Sequence, residues 1–206
     1  GLIMEESNLL FSQHFASLRT KPKWGLKFIL AIVVAVLTVV ITTFTIDYSK
    51  FVQNTDMSAS QSKQLENIAK ISGLVGSSIG AVITIGITFL IFLLISKIMK
   101  SDASAKSIFS ATLSYTLISG VVGLVVALIQ WIAGLSTNDY SLTSLNIFDK
   151  GNSWLGAFDL QTILGAYVFG IMLYATNRLS KKSALIWAIA YLIVYIGLAL
   201  IGASLQ

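Results

Sequence analysis

Cysteine is absent from the 206 residues, histidine and proline occur once each, and only 11% of the chain is charged. Without cysteine there is neither a disulfide framework nor a thiolate metal site, and the redox compartment goes unmarked. The single histidine, His14, has only Glu5 and Glu6 near it in sequence. A metal site or a Ser–His–Asp system needs several converging groups, so His14 is expected to be a polar residue at headgroup level. The shortage of charge is the most informative. A soluble domain carries roughly 25% charged residues; fewer than half as many here, set between long uncharged runs, put the chain in the membrane class.

Other absences narrow the function. Net charge is +5, from 14 Lys and Arg against 9 Asp and Glu. Nucleic-acid binding would need a basic face with interleaved aromatics, whereas these cations sit in short clusters between apolar runs. No G-x-x-x-x-G-K-[ST] loop is present to hold nucleotide phosphates. Lys27 is the one basic residue inside an apolar run, and none holds His or Glu, which argues against an intramembrane metalloprotease. The expectation is a chain without catalytic residues, cofactor or metal.

What is abundant is apolar sequence, at 55% of the chain. A spanning helix needs about 20 mostly apolar residues, and five stretches approach or exceed this: about 24–46, 72–96, 108–135, 159–177 and 183–205. They are apolar on all sides, without the alternation of a barrel strand, so internal hydrogen bonding makes them helices. The expected fold is all-α, a single polytopic membrane domain over 1–206. The first run is too long for a signal-peptide core and lacks a small-x-small cleavage site, so it is read as a retained span. Gly1 in place of methionine suggests a truncated or tag-cleaved chain.

Ahead of the first span, 1–23 reads as an interfacial amphipathic segment. Leu10, Phe11, Phe15 and Leu18 recur at helical spacing, with Ser7 or Asn8 available as a cap. Pro22 then sits where the first span opens, a place at which its missing N–H costs little. Leu65, Ile68 and Ile71 suggest that the second helix starts before its apolar run, within the polar stretch that begins at Asp47. If the N-terminus faces the cytoplasm, the inner side holds Arg19, Lys21, Lys23, Lys27, Lys97, Lys100, Lys106, Arg178, Lys181 and Lys182. The outer side holds only Lys50, Lys63, Lys70 and Lys150. This bias predicts a multi-pass plasma-membrane protein, N-terminus inside and C-terminus outside, with Trp131 and Trp154 in an outer aromatic belt.

Small residues mark candidate helix contacts: Gly73, Gly76 and Gly80 in the second span, Gly120 and Gly123 in the third, Gly170 in the fourth. Packing within the chain is the expectation, a homo-oligomer interface the alternative. Tyr191 and Tyr195, one turn apart, suit packing or a pocket wall. Asp159, the one acid beside the hydrocarbon, suits a helix N-cap, with a polar functional site as the alternative.

Several of these features together resemble the Yip family of multispanning membrane proteins, named as Ypt/Rab-interacting proteins, in its bacterial branch. They are Phe15-x-x-Leu18 followed by Lys21-Pro22-Lys23-Trp24, then Ser114-Tyr115, then Ser153-Trp154-Leu155-Gly156-Ala157-Phe158-Asp159, and Arg178-Leu179-Ser180-Lys181-Lys182-Ser183-Ala184. Family members often carry a proline soon after that tyrosine, where this chain has Ser119-Gly120. The resemblance implies trafficking scaffolds among eukaryotic members and, among bacterial ones, neighbours of ABC-type exporters that protect against toxic or antimicrobial peptides. The expected function is an accessory subunit bound in the lipid bilayer to an integral membrane partner, an ABC-type exporter. The alternatives are a small transporter or channel, and a membrane-organising scaffold. Reporter fusions at Lys100 and Lys181 should report cytoplasm and those at Met57 and Gln206 the outside; a cytoplasmic signal at Gln206 would refute the topology.

Overall fold

The computed structural model describes residues 8–46 and 57–206. Glu5, Glu6, Ser7, Lys50 and the start of the outer loop at Asp47 lie outside the described residues. The described elements are α1 (Ser12–Ser17), α2 (Gly25–Thr43), α3 (Ala59–Ile98), α4 (Ala105–Ala133), a 3₁₀ turn (Leu145–Phe148), the short α5 (Ser153–Gly156), α6 (Leu160–Ala175) and α7 (Lys181–Ser204). The fold is all-α and polytopic, and among the described residues the one β feature is an isolated bridge between Ser144 and Asp159.

Local chemistry sets the helix ends. Ser58 caps α3 in a capping box with Gln61, and Ser104, Asp159 and Ser180 cap α4, α6 and α7 through their side-chain oxygens, each satisfying a backbone N–H that the first turn leaves unpaired. Gly134 closes α4 at φ 69°, and the Leu135 N–H returns to the Gln130 carbonyl at 2.9 Å, a glycine-dependent left-handed termination. Lys100 and Arg178 adopt the same left-handed region after α3 and α6.

Helices α2, α3, α4 and α7 are long and apolar enough to cross a membrane. At 1.5 Å per residue, the 40-residue α3 is about 60 Å long, roughly twice a hydrocarbon core. It begins at Ala59, so the second helix does start well before its apolar run. The fourth apolar run, 159–177, holds the 16-residue α6, about 24 Å long. It is also the most enclosed helix: Val168, Met172, Leu173 and Ala175 are fully buried. A helix walled in by protein is released from the length that lipid contact demands.

Two ends can be recognised from contacts. At one, Arg19 pairs with Asp102 and donates to the Thr176 carbonyl, and Ser101 donates to the Asn177 carbonyl. The N-terminal segment, the α3–α4 turn and the α6–α7 turn therefore meet there, gathering most of the cations. At the other end Phe44 stacks on Trp131 at 5.4 Å, Thr45 meets Thr137 at 3.1 Å, and Ser153 donates to Gln206. Trp131 and Trp154 are about half exposed at that end.

The N-terminal segment departs from expectation. Its helix is one and a half turns, starting at Ser12 rather than after Ser7 or Asn8. Phe15 and Leu18 are buried in the main core with Phe92, Ile108, Phe169 and Met172, while Leu10 stays exposed. The segment packs onto the basic end through these two side chains, with His14, Ser17, Lys21 and Lys23 left exposed. The reason is geometric: the short α6 leaves room that two apolar side chains fill.

The glycines divide. A Cβ at Gly170 would stand 3.2 Å from the Ala188 Cβ and 3.6 Å from the Ala184 carbonyl, one at Gly120 3.2 Å from Val34, and one at Gly123 3.6 Å from the Gln161 side chain. These three sit in helix contacts. Among the described residues nothing stands within 4 Å of a Cβ built at Gly73, Gly76 or Gly80, and the first half of α3 is largely exposed. Gly170→Leu should therefore cost about 1–3 kcal/mol by overpacking the α6–α7 contact, while Gly76→Leu leaves the melting temperature in detergent unchanged. Equal losses would contradict this division.

Candidate functional site at the basic end

Ser107, Ser110 and Ser114 follow one another at intervals of three and four, so they share one face of α4, and all three are buried. That face receives the N-terminal segment. Ser107 Oγ donates to the Leu18 carbonyl at 2.8 Å and Ser110 Oγ to the Lys23 carbonyl at 2.5 Å. Ser114 Oγ lies 2.8 Å from His14 Nε2. From the opposite wall, Thr176 Oγ1 donates to the Phe15 carbonyl at 2.7 Å and Tyr167 OH to the Leu10 carbonyl at 3.1 Å. A segment with little helix of its own thus has its backbone acceptors met by side chains of α4 and α6 and the turn after α6, as burial requires.

Lys27, in the first turn of α2, completes the arrangement. Its Nζ donates to Ser110 Oγ at 2.6 Å, to the Ser110 carbonyl at 2.9 Å and to Ser114 Oγ at 2.9 Å. An ammonium has three protons and no acceptor, so all its donors are engaged. Ser114 Oγ thus stands between the Lys27 ammonium and His14 Nε2, within hydrogen-bond distance of both. Burial first, and then the Lys27 ammonium, hold the imidazole below its ordinary pKa. Asp102 is held below the usual carboxylate range by the hydrogen bond and charge of Arg19.

A second polar cluster lies at the far end. Asp159 Oδ1 accepts from the Gln161 N–H at 2.8 Å and from Thr143 Oγ1 at 2.7 Å, and Oδ2 accepts from Ser141 Oγ at 3.2 Å. Buried Gln130 binds the same loop through the Leu142 N–H and the Tyr140 carbonyl. The acid is the N-cap of α6 and the anchor of the 141–144 loop. Between the two ends, Tyr115 OH meets Tyr191 OH at 2.5 Å, and Tyr191 stacks on Tyr195 at 4.3 Å. Among the described residues no group of three His, Cys, Asp or Glu could hold a metal ion.

Of the residues singled out from sequence, the structure gives Asp159 a structural position and brings Gly120, Gly123 and Gly170 into contacts. His14, expected at headgroup level, is exposed and lies beside Ser114. The engagement of Lys27 with Ser110 and Ser114 was missed, although the three-and-four spacing of serines opposite a lone intramembrane lysine was there to be noticed.

An all-helical bundle crossing the bilayer several times, its N-terminal strap fastened into one end, is the architecture of a polytopic membrane protein. More particularly, the chain belongs to the Yip1 domain family, whose model matches residues 8–203. It is similar to a protein of Bacillus subtilis (strain 168) described as membrane protein YknW, with 29% identity over 186 residues, covering 86% of this chain and 80% of the relative. No solved structure matches the chain.

Because the folded chain binds a proton at His14 less readily than the unfolded chain does, stability should fall as pH drops below the ordinary histidine value of 6.5. The melting temperature in detergent should decline from pH 7.5 to pH 5.5 (about one unit either side of that value), and His14→Gln should flatten the decline. An unaltered slope in that variant would contradict the arrangement.

Proposed function

We propose that the chain is a non-enzymatic accessory subunit of the plasma membrane, with its N-terminus and basic end in the cytoplasm. It docks an integral membrane partner, an ABC-type exporter that protects the cell against toxic or antimicrobial peptides. The observation that carries this reading is the open face of α3. Gly73, Gly76 and Gly80 form a small-residue stripe where an added Cβ would meet no other described residue within 4 Å. In lipid, where hydrophobicity does not drive helices together, such stripes let a second backbone approach closely.

Two further observations support it. The outward faces of α2, α3 and α7 are apolar and exposed, as at Leu26, Ile83 and Ile193, leaving broad surface for lipid and partner. The polar side chains that a solute path would need are otherwise engaged: Gln130, Gln161 and Asp159 hold the 140–144 loop. The exporter as partner rests on the resemblance to bacterial Yip-family members.

The test is co-purification from native membrane. An exporter should be recovered with the chain, and Gly76→Leu/Gly80→Leu should reduce that recovery at least tenfold, on the scale of about 1.4 kcal/mol of lost contact, with the melting temperature retained. Deleting the gene should sensitise cells to a membrane-active peptide. Solute flux by the purified chain alone in liposomes would overturn the proposal in favour of a transporter.

A further inference from the structure

The strap and the start of α2 border two adjoining open surface hollows of about 390 and 570 Å³ that share Lys21, Lys23 and Trp24. Lys27 lines the smaller and Lys106 the larger. Lys21, Lys23 and Lys106 are exposed around this region, while the Lys27 ammonium is turned to Ser110 and Ser114. The one described acid at this end, Asp102, is taken by Arg19, and among the described residues no carboxylate pairs with Lys21, Lys23, Lys27 or Lys106. Lys27 in particular is bound only by neutral oxygens. A cation drawn partly out of water needs a counter-charge, and the described chain supplies none.

The walls are of two kinds. Trp24 is fixed edge-on against Phe109 at 5.5 Å and is 43% exposed. Leu26 is 70% exposed at the point where the apolar span begins. The Lys23 carbonyl is tied to Ser110, so the turn that carries the lysines is held in place. Cations on a fixed turn, next to an indole and an aliphatic chain at the edge of a span, suit a ligand that is anionic at one end and apolar at the other.

We propose that this double hollow binds the phosphate headgroup of an anionic phospholipid, with the lysines around the phosphate and the start of an acyl chain along Trp24 and Leu26. The lipid supplies the counter-charge that the described residues lack at this end and pins the strap to the leaflet on that side. The site is separate from the α3 face and does not depend on the partner proposed for it.

The test uses the full chain purified in a neutral detergent, titrated with phosphatidylglycerol, phosphatidylcholine or inorganic phosphate. Lipid retention by native mass spectrometry and the melting temperature are the readouts. Phosphatidylglycerol should be retained and raise the melting temperature, and the other two should not. Lys21→Gln/Lys23→Gln/Lys106→Gln replaces exposed side chains only and should weaken phosphatidylglycerol binding on the order of a hundredfold, at roughly fivefold per lysine. The charge-matched Lys97→Gln/Lys181→Gln/Lys182→Gln should bind as the parent does. Equal weakening in both triple variants would reduce the effect to diffuse surface charge and overturn the site. Equal stabilisation by phosphatidylcholine would overturn the need for an anion, and equal stabilisation by inorganic phosphate the assignment to a lipid.

Discussion

The hydroxyl face of α4 is the interaction on which the basic end depends. Ser107, Ser110 and Ser114 each touch the N-terminal strap, two of them through its backbone carbonyls. Without them a non-helical segment would carry unsatisfied acceptors into a dry interior, at a cost of about 1–3 kcal/mol for each group. With them, Phe15 and Leu18 can sit in the core and close the space above the short α6. Lys27 ties the same serines to α2, so three parts of the chain share one hydrogen-bond network. Such a network holds one arrangement firmly when every member is satisfied.

The far end uses the same means with a different centre. Asp159 serves as helix cap and loop anchor at once, accepting from Gln161, Thr143 and Ser141. The two oxygens of a carboxyl group can each accept hydrogen bonds, which is why one acid can organise a connection of this length. The two clusters bracket α6, whose burial lets it be shorter than the helices around it. The first half of α3 is largely exposed, so the molecule has a compact part and a helix with a free face. That asymmetry gives the docking proposal its physical content.

Much of the fold was legible because lipid is an undemanding solvent to read: an apolar run of sufficient length must be a helix with its backbone paired internally. The extents of α2, α4 and α7 lie within a few residues of the apolar runs, and Asp159 stands at its helix terminus as its chemistry suggests. The site was less legible. The serines bond to backbone carbonyls, an acceptor that every residue carries, so nothing in the side chains of the strap marks it as their partner. The glycines show the same limit. A small residue states that close approach is permitted, and Gly76 and Gly170 read alike until the neighbouring helix is placed.

The amino-acid sequence by itself determined the class of protein, the long helices, the cap at Asp159 and the gathering of positive charge at alternate turns, because each follows from local composition and the cost of burying polar groups in lipid. Only the tertiary structure decided that α6 lies at the centre, that the strap packs onto the bundle, that Lys27 meets serines rather than an acid, and which small-residue faces remain open. Each of these depends on what stands opposite a residue across space, and for helices of similar apolar composition many pairings satisfy the same hydropathy pattern.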